Sequence, residues 1–326
     1  MRSVTFVALF SVGLLTLLPA APVHAQRTNW VGQQYADNYT QPLTDALGAN
    51  LNAGLFRTAE VKGGEGLIPG IDLYVGVTGM GALTTGSEAA FQLGQDQVRT
   101  DDGQTLTIIY PDEELPTVFG DETSPGKAII SDGNPATPDE ELDLPPGLWS
   151  TSVAPFAVLQ VGAGTVVGTD AQFRFLPNTS VREYGSFSLF GVSLRHSLSQ
   201  YISASPVNLA VQGTWQTLSF TGGEEGPGLE ENVTAGGWAL NGQISKSVPV
   251  VPITLYGGLQ YEQFGVDARY TFETISGTST VSLEQDASNR VRALAGVSAT
   301  LALVQVNVDY ALGASNTVSA GLGIIL

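Results

Sequence analysis

Residues 304–326 read VQVNVDYALGASNTVSAGLGIIL, and their alternation decides the fold. Val304, Val306, Val308, Tyr310 and Leu312 alternate with Gln305, Asn307, Asp309 and Ala311. After the turn Gly313-Ala314-Ser315-Asn316 the alternation resumes at Val318, Ala320, Leu322, Ile324 and Leu326. Successive side chains of a strand point to opposite faces, so this is a hairpin with one apolar face and one polar or small face. A soluble sandwich turns its apolar face inward, whereas a transmembrane barrel turns it outward to lipid.

Composition separates the two. Hydrophobic residues make up 43% of the 326-residue chain and charged residues only 13%, against about a quarter charged in soluble domains. The N-terminus predicts a secretory signal peptide: Arg2, an apolar run from Val7 to Leu18, then Val23-His24-Ala25 with cleavage before Gln26. No cysteine stands at that site, which excludes a lipoprotein anchor, and none occurs elsewhere, so export brings no disulfides. Beyond this leader no apolar run approaches the roughly 20 residues of a membrane helix. The net charge of −18 argues against nucleic acid, whose phosphates need a basic face.

Working back from the C-terminus, period-two segments cover 153–161, 165–176, 184–198, 207–220, 232–246, 253–274, 278–301, 304–312 and 317–326. No helix-period segment separates them, which makes the class antiparallel all-β. If Leu326 lies at the periplasmic end, the links 302–303, 247–252, 199–206 and 162–164 fall there. The acidic 221–231 and the long segment before Val153 then fall outside, and the hairpin tip near 275–278 is carried on strands that overshoot the membrane. Long connections on one side favour a barrel. Segments 51–60 and 70–80 and one strand within 86–110 bring the expected count to twelve, with fourteen as the alternative. Before the barrel, Tyr35, Tyr39, Leu43, Leu47 and Leu51 recur at helical spacing over 33–50, with Pro42 interrupting. The expected organisation is a leader over 1–25, a partly helical segment over 26–50, and a barrel over 51–326 carrying an acidic insertion over 96–150.

At GTDAQFRFLP (168–177), YGSFSLFGVSLRHSLSQY (184–201) and NLAVQGTWQTL (208–218) the chain resembles an uncharacterised family of outer-membrane barrels from Gram-negative bacteria. The resemblance implies a barrel in the outer membrane and no particular substrate. The last strand resembles the C-terminal signal read by the barrel-assembly machinery, with Leu326 where an aromatic residue is usual. A looser similarity to long-chain fatty-acid transporters implies that 33–50 is a hatch inside the barrel.

Side chains for chemistry are few. His196 is the only histidine after the leader, and its neighbour Ser197 faces the opposite way, so no enzyme or cofactor is expected. The inward columns are richer: Asp170, Gln172 and Arg174; Ser193 and Arg195; Asn208, Gln212, Thr214 and Gln216; Asn241, Gln243 and Ser245. Tyr256, Gln260 and Glu262 follow, with Asp267, Arg269 and Glu273 further up, and then Arg290, Arg292, Gln305, Asn307 and Asp309. They line either a hydrated pathway or a filled interior in which Arg174 and Arg292 pair with Asp170 and Asp309. Val318, Ala320, Leu322, Ile324 and Leu326 form the lipid-facing stripe. Residues 96–143 carry thirteen carboxylates against Arg99 and Lys127, including a calcium candidate at Asp132, Asp139, Glu140 and Asp143. The expected function is a passive channel or transporter for small or hydrophobic molecules. The alternative is a closed structural or adhesive barrel whose outer loops bind partners.

Overall fold

The computed structural model describes residues 33–61, 71–99, 105–122, 126–165, 167–181, 185–222, 232–274 and 277–326. The signal-peptide expectation lies outside them. Helix α1 is Gln33–Leu51 and strand β1 is Ile71–Leu83. Between β1 and the next long strand come six short ones: β2 (Ala90–Phe91), β3 (Gln95–Arg99), β4 (Thr105–Ile109), β5 (Leu115–Pro116), β6 (Lys127–Ser131) and β7 (Glu140–Asp143). The long strands then follow: β8 (Val153–Thr165), β9 (Thr169–Val181), β10 (Gly185–Ser197), β11 (Asn208–Gly222), β12 (Asn232–Ser247) and β13 (Ile253–Thr274). The chain ends with β14 (Gly277–Asp286), β15 (Val291–Leu301), β16 (Val304–Leu312) and β17 (Thr317–Ile325).

Among the described residues ten strands close into an antiparallel barrel in the order β1-β8-β9-β10-β11-β12-β13-β15-β16-β17, with β17 returning to β1. The closing seam extends to the final residue, where Leu326 and Leu73 exchange both backbone hydrogen bonds at 2.8 and 3.0 Å. A barrel thereby removes the unpaired edges that hydrocarbon would penalise. The register can be followed from Ala82 through Thr317, Ala311, Leu294, Gly258, Gln243, Ala210 and Ser197. It re-enters β1 about twelve residues lower, a stagger that tilts the strands by roughly 40°.

Ten strands replace the expected twelve, and fourteen is excluded with it. Segment 51–60 is no wall strand: its alternation belongs to an extended chain inside the barrel. The pairing within 86–110 belongs to small sheets of the insertion, β2-β5 and β3-β4-β6-β7, which spans 84–152 and not 96–150. The barrel itself begins at Ile71. Residues 162–164, expected as a turn, lie within β8; the chain turns after Thr165, to whose carbonyl Gly168 donates at 3.1 Å. The expected overshoot is present, because β14 pairs only with the upper half of β13 and stands outside the closed ring. Helix α1 runs through Pro42 without interruption; burial of its last turns, from Ala46 to Leu51, holds a helix that propensity alone would break.

One seam is short. β8 and β9 pair over only six rungs, Leu159↔Phe175 to Gly164↔Asp170, although both strands continue toward the insertion end. In β8 the even-numbered residues bond to β1, as Ser152 does to Thr84, so Pro155 faces β9. In β9 Gly168 bonds to Ser197 of β10, so Pro177 faces β8. Proline has no N–H to give. Continued, the six-rung register puts Pro177 opposite Ala157 and Pro155 opposite Thr179. Both prolines thus remove donors from the same stretch of the seam, where the ladder stops. The opposite edge of β9 shifts register against Phe187 and Leu189 at the same height.

Candidate functional site

The interior is layered. Toward the insertion end the inward side chains are apolar: Phe156, Leu176, Phe187, Leu218, Phe220 and Phe264 are all buried around α1. Nearer the terminal end they are polar. Asp170, Gln172, Arg174, Arg195, Gln212, Gln216, Asn241, Gln243, Tyr256, Gln260, Glu262, Arg292, Gln305, Asn307 and Asp309 are buried in the lumen, as period two predicts. Ser193, Thr214 and Ser245 join them. Asn208 shares their parity but is only half-buried at the terminal end. Asp267 falls on the other parity and is exposed, a correction caused by counting on from Glu262 by an odd step. Arg290 is half-buried and pairs with exposed Asp286 at 2.8 Å, beyond the lumen. The side chains of Arg269 and Glu273 lie outside the described residues.

What fills this lumen is the chain's own segment 33–60. Its outer turns dock on the insertion: Gln34 donates its N–H to Asp96 (3.1 Å), the Tyr39 hydroxyl donates to Pro146 O (2.8 Å), and Val118 donates to Tyr39 O (3.1 Å). Tyr35 stacks between Tyr39 and Tyr110, with ring centroids 5.9 and 5.6 Å away. Burial pushes the Tyr35 and Tyr39 phenols above the ordinary tyrosine value.

Inside the barrel, the end of α1 exposes carbonyls that no helical N–H can satisfy. Wall side chains meet them. Arg174 donates to Leu51 O (2.7 Å) and Ala53 O (3.1 Å), and Arg292 donates to Ala49 O (3.1 Å). Both guanidiniums thus sit at the negative end of the helix dipole. The expected pairs of Arg174 with Asp170 and Arg292 with Asp309 do not form. Arg292 instead bonds Glu262 at 2.6 Å, with both side chains 1% exposed, and Arg195 holds Asp170. Asp309 accepts from Tyr256 (2.9 Å) and Ser319.

Beyond the helix the grip continues on the extended chain. Gln216 donates to Leu51 O (2.8 Å), Gln260 to Asn52 O (2.9 Å), Gln160 to Gly54 O (3.0 Å), Gln212 to Leu55 O (3.2 Å) and Arg195 to Thr58 O. Gln243 ties Gln212 and Asn241 into the same band of amides. A glycine makes the room: a Cβ on Gly258 would stand 2.9 Å from the Phe56 ring and 2.6 Å from Gly242 O. The hatch expected over 33–50 is therefore present but longer, and its decisive contacts lie in 49–59.

At the terminal end the plug leaves a cavity of about 550 Å³, lined among others by Arg57, Tyr74, Asp170, Gln172, Arg195 and Gln305. Arg57 was not among the sequence candidates, since its segment was read as wall.

The outer face carries the opposite chemistry. Val318, Leu322 and Ile324 are 40%, 52% and 47% exposed, Ala320 shares their side, and Leu326 is half-buried by its pairing. Trp215, Trp238 and Tyr261 form a row on neighbouring strands, the last two 5.5 Å apart. His196 lies on this face, bonded to Thr169 (2.7 Å) and Tyr201 (2.9 Å), while Ser197 turns inward. Asp132, Asp139, Glu140 and Asp143 are all exposed. No group of three His, Cys, Asp or Glu side chains placed to hold a metal forms among the described residues, so the four are not brought together. Lys127 bridges Glu141 at 2.9 Å there, which raises the ammonium and lowers the carboxyl from their ordinary values.

An antiparallel barrel with an apolar outside and a plugged polar lumen has the architecture of a membrane β-barrel. The chain belongs to the Family of unknown function (DUF6588), whose model matches residues 1–326. No curated protein matches it. Among solved structures it is similar to a loop L8 deletion mutant of OmpT, an outer membrane protein of Vibrio cholerae, with 10% identity, TM-score 0.27, and coverage of 78% of this chain and 99% of that one. Outer membrane protease OmpT from Escherichia coli gives 10% identity and TM-score 0.27 over 82% and 100% of the two chains. The transport unit of the autotransporter AIDA-I from Escherichia coli gives 12% and 0.26 over 89% and 96%. Likeness at this level extends to no activity.

Proposed function

We propose that the chain is an outer-membrane barrel of a Gram-negative bacterium, closed at rest by residues 33–60, which passes a small solute when that plug shifts. The carrying observation is a lumen occupied by a segment whose stretch from Ala49 to Ala59 is bonded to the wall through polar side chains. Each such bond contributes only about 0.5–1.5 kcal/mol net, because water can replace it. The polar bonds of 49–59 can be exchanged for water in this way, whereas the apolar packing around α1 resists departure and keeps the barrel closed at rest. An always-open pore does not fit a filled interior.

The membrane reading rests on the outward stripes of Val, Leu and Ile and on the aromatic row, which lipid would cover. With the terminal end periplasmic, the short links 167–168, 248–252 and 302–303 face the periplasm and the insertion faces outside. Lipid is then the first partner, and the assembly machinery meets the β17 strand. The reading is non-enzymatic, because His196 and Ser197 point to opposite faces. The insertion sheet β3-β4-β6-β7 favours one other reading, a permanently shut barrel whose outer sheets bind partners.

Single-channel recording on the refolded chain, with and without residues 33–60, separates the two. Long-lived openings only in the deletion variant, with heat-modifiable gel migration showing that it folds, are expected. A folded deletion variant that stays silent would replace the gated barrel by the shut one.

A further inference from the structure

The cavity at the terminal end holds a cation without a counter-ion. Arg57 comes from the plug and lies half-buried at the cavity wall, its guanidinium carbon 3.4 Å above the centroid of the Tyr74 ring. With the Gln172 amide oriented to donate to Leu55 O (3.2 Å), its oxygen accepts from Arg57 at 3.2 Å. No carboxylate reaches Arg57 within ion-pair distance among the described residues. Asp170, which lines the same cavity, is already engaged by Arg195. A cation held away from bulk water costs free energy unless an anion joins it; ring and amide offset only part of that.

The surroundings have the make-up of a ligand pocket. A volume of about 550 Å³ lies within the usual range for small-molecule sites. Ser298, Thr300 and Thr254 line it with hydroxyls. The Tyr74 hydroxyl, on a lining residue, is buried without a protein partner and is a donor for an anion. The carboxylates Glu60, Asp72 and Asp170 also line the cavity, which makes Arg57 the determinant of anion binding. The stacked guanidinium keeps its N–H edge for planar, two-point contact with an oxyanion.

We propose that this cavity binds a small solute through its oxyanion, a carboxylate or phosphate, with Arg57 as the anchor. This deepens the gated-barrel reading by naming a solute class, but binding is measurable whether or not the barrel opens. Because Arg57 belongs to the plug, occupancy also ties the solute to the closed arrangement, and a solute that prefers that arrangement must hold it closed.

The test is calorimetric titration of the refolded full chain in detergent with inorganic phosphate, acetate and calcium as separate arms. One saturable site for phosphate or acetate is expected, weakened at least tenfold in Arg57→Gln, largely kept in Arg57→Lys and unchanged in Lys246→Gln. The stronger of the two anions identifies the oxyanion type. Absence of saturable anion binding, binding of calcium alone, or an Arg57→Gln variant that binds as tightly as the parent would overturn the assignment. Heat-modifiable migration of each variant separates lost binding from lost folding, and channel recordings, which bear on gating, are unaffected by that outcome.

Discussion

Arg174 and Arg292 solve the same problem in different ways. Arg174 is 1% exposed and bonds two plug carbonyls and Gln216, so its charge is satisfied by dipoles. Arg292 has the Glu262 carboxylate as well as Ala49 O. Removing a partner therefore has different consequences. Glu262→Gln leaves a buried guanidinium without its counter-charge and is expected to lower barrel stability by about 3–5 kcal/mol. Arg174→Met deletes the charge together with its bonds and leaves two carbonyls to water or to Gln216. A loss of about 2–3 kcal/mol is expected, confined to the plug. Urea titrations read by whole-barrel gel migration and by protease cutting within 33–60 check both: the first variant shifts the two signals together, the second only the cutting.

The lumen residues were legible one by one because a wall strand enforces period two from end to end. The parity of Gln212, Gln243, Gln305 and Asp309 needed no partner to be read. Which cation meets which anion was not legible. Pairing depends on stagger between strands and on a plug that lies far away in sequence. Arg57 was missed for the same reason, since an extended chain inside a barrel alternates much as a wall strand does.

At the level of elements, two features make testable claims. The first is the tyrosine stack joining α1 to the insertion. Folding favours the neutral phenols of Tyr35 and Tyr39, so their folded values lie above the unfolded one. That contribution is complete below the ordinary tyrosine value of about 10 and is lost as pH rises above it. Alkaline titration of the folded chain should show these phenols ionising late and together with protease access to α1. Ionisation at the ordinary value, with α1 still protected, would dissociate the stack from the docking of the helix. The second is the β8–β9 seam. Pro155→Val with Pro177→Val restores one donor on each side of it, and the expected result is slower hydrogen exchange along both strands toward the insertion end. Unchanged exchange would mean that side chains, not the missing N–H groups, keep the strands apart. The sequence displays both prolines, but only the pairing shows that they border the same seam. Segments 51–60 and 86–110 misled for a related reason: short alternating runs occur in plugs and small sheets as readily as in barrel walls.

For the molecule as a whole, the inward layering joins fold to function. Apolar residues near the insertion end and polar ones below divide the interior into a packed cap and a hydrated grip. The class was readable from the C-terminal hairpin taken with the composition, because lipid outside and polar groups inside rationalise such a stripe in a chain so poor in charge. The closed state was not, since nothing local marks residues 49–59 as lumen filling.

The central claim is that this segment occupies the lumen and that its departure opens the barrel. Thr58 Oγ1 lies 3.3 Å from Ser245 Oγ across the plug–wall interface, and the chain has no cysteine of its own. The Thr58→Cys/Ser245→Cys double variant can therefore be locked by oxidation and released by reduction. Recorded in planar bilayers under voltage, it should be silent when oxidised and show brief openings when reduced. Equal conductance in both states, or failure of the two positions to cross-link in the folded barrel, would contradict the account.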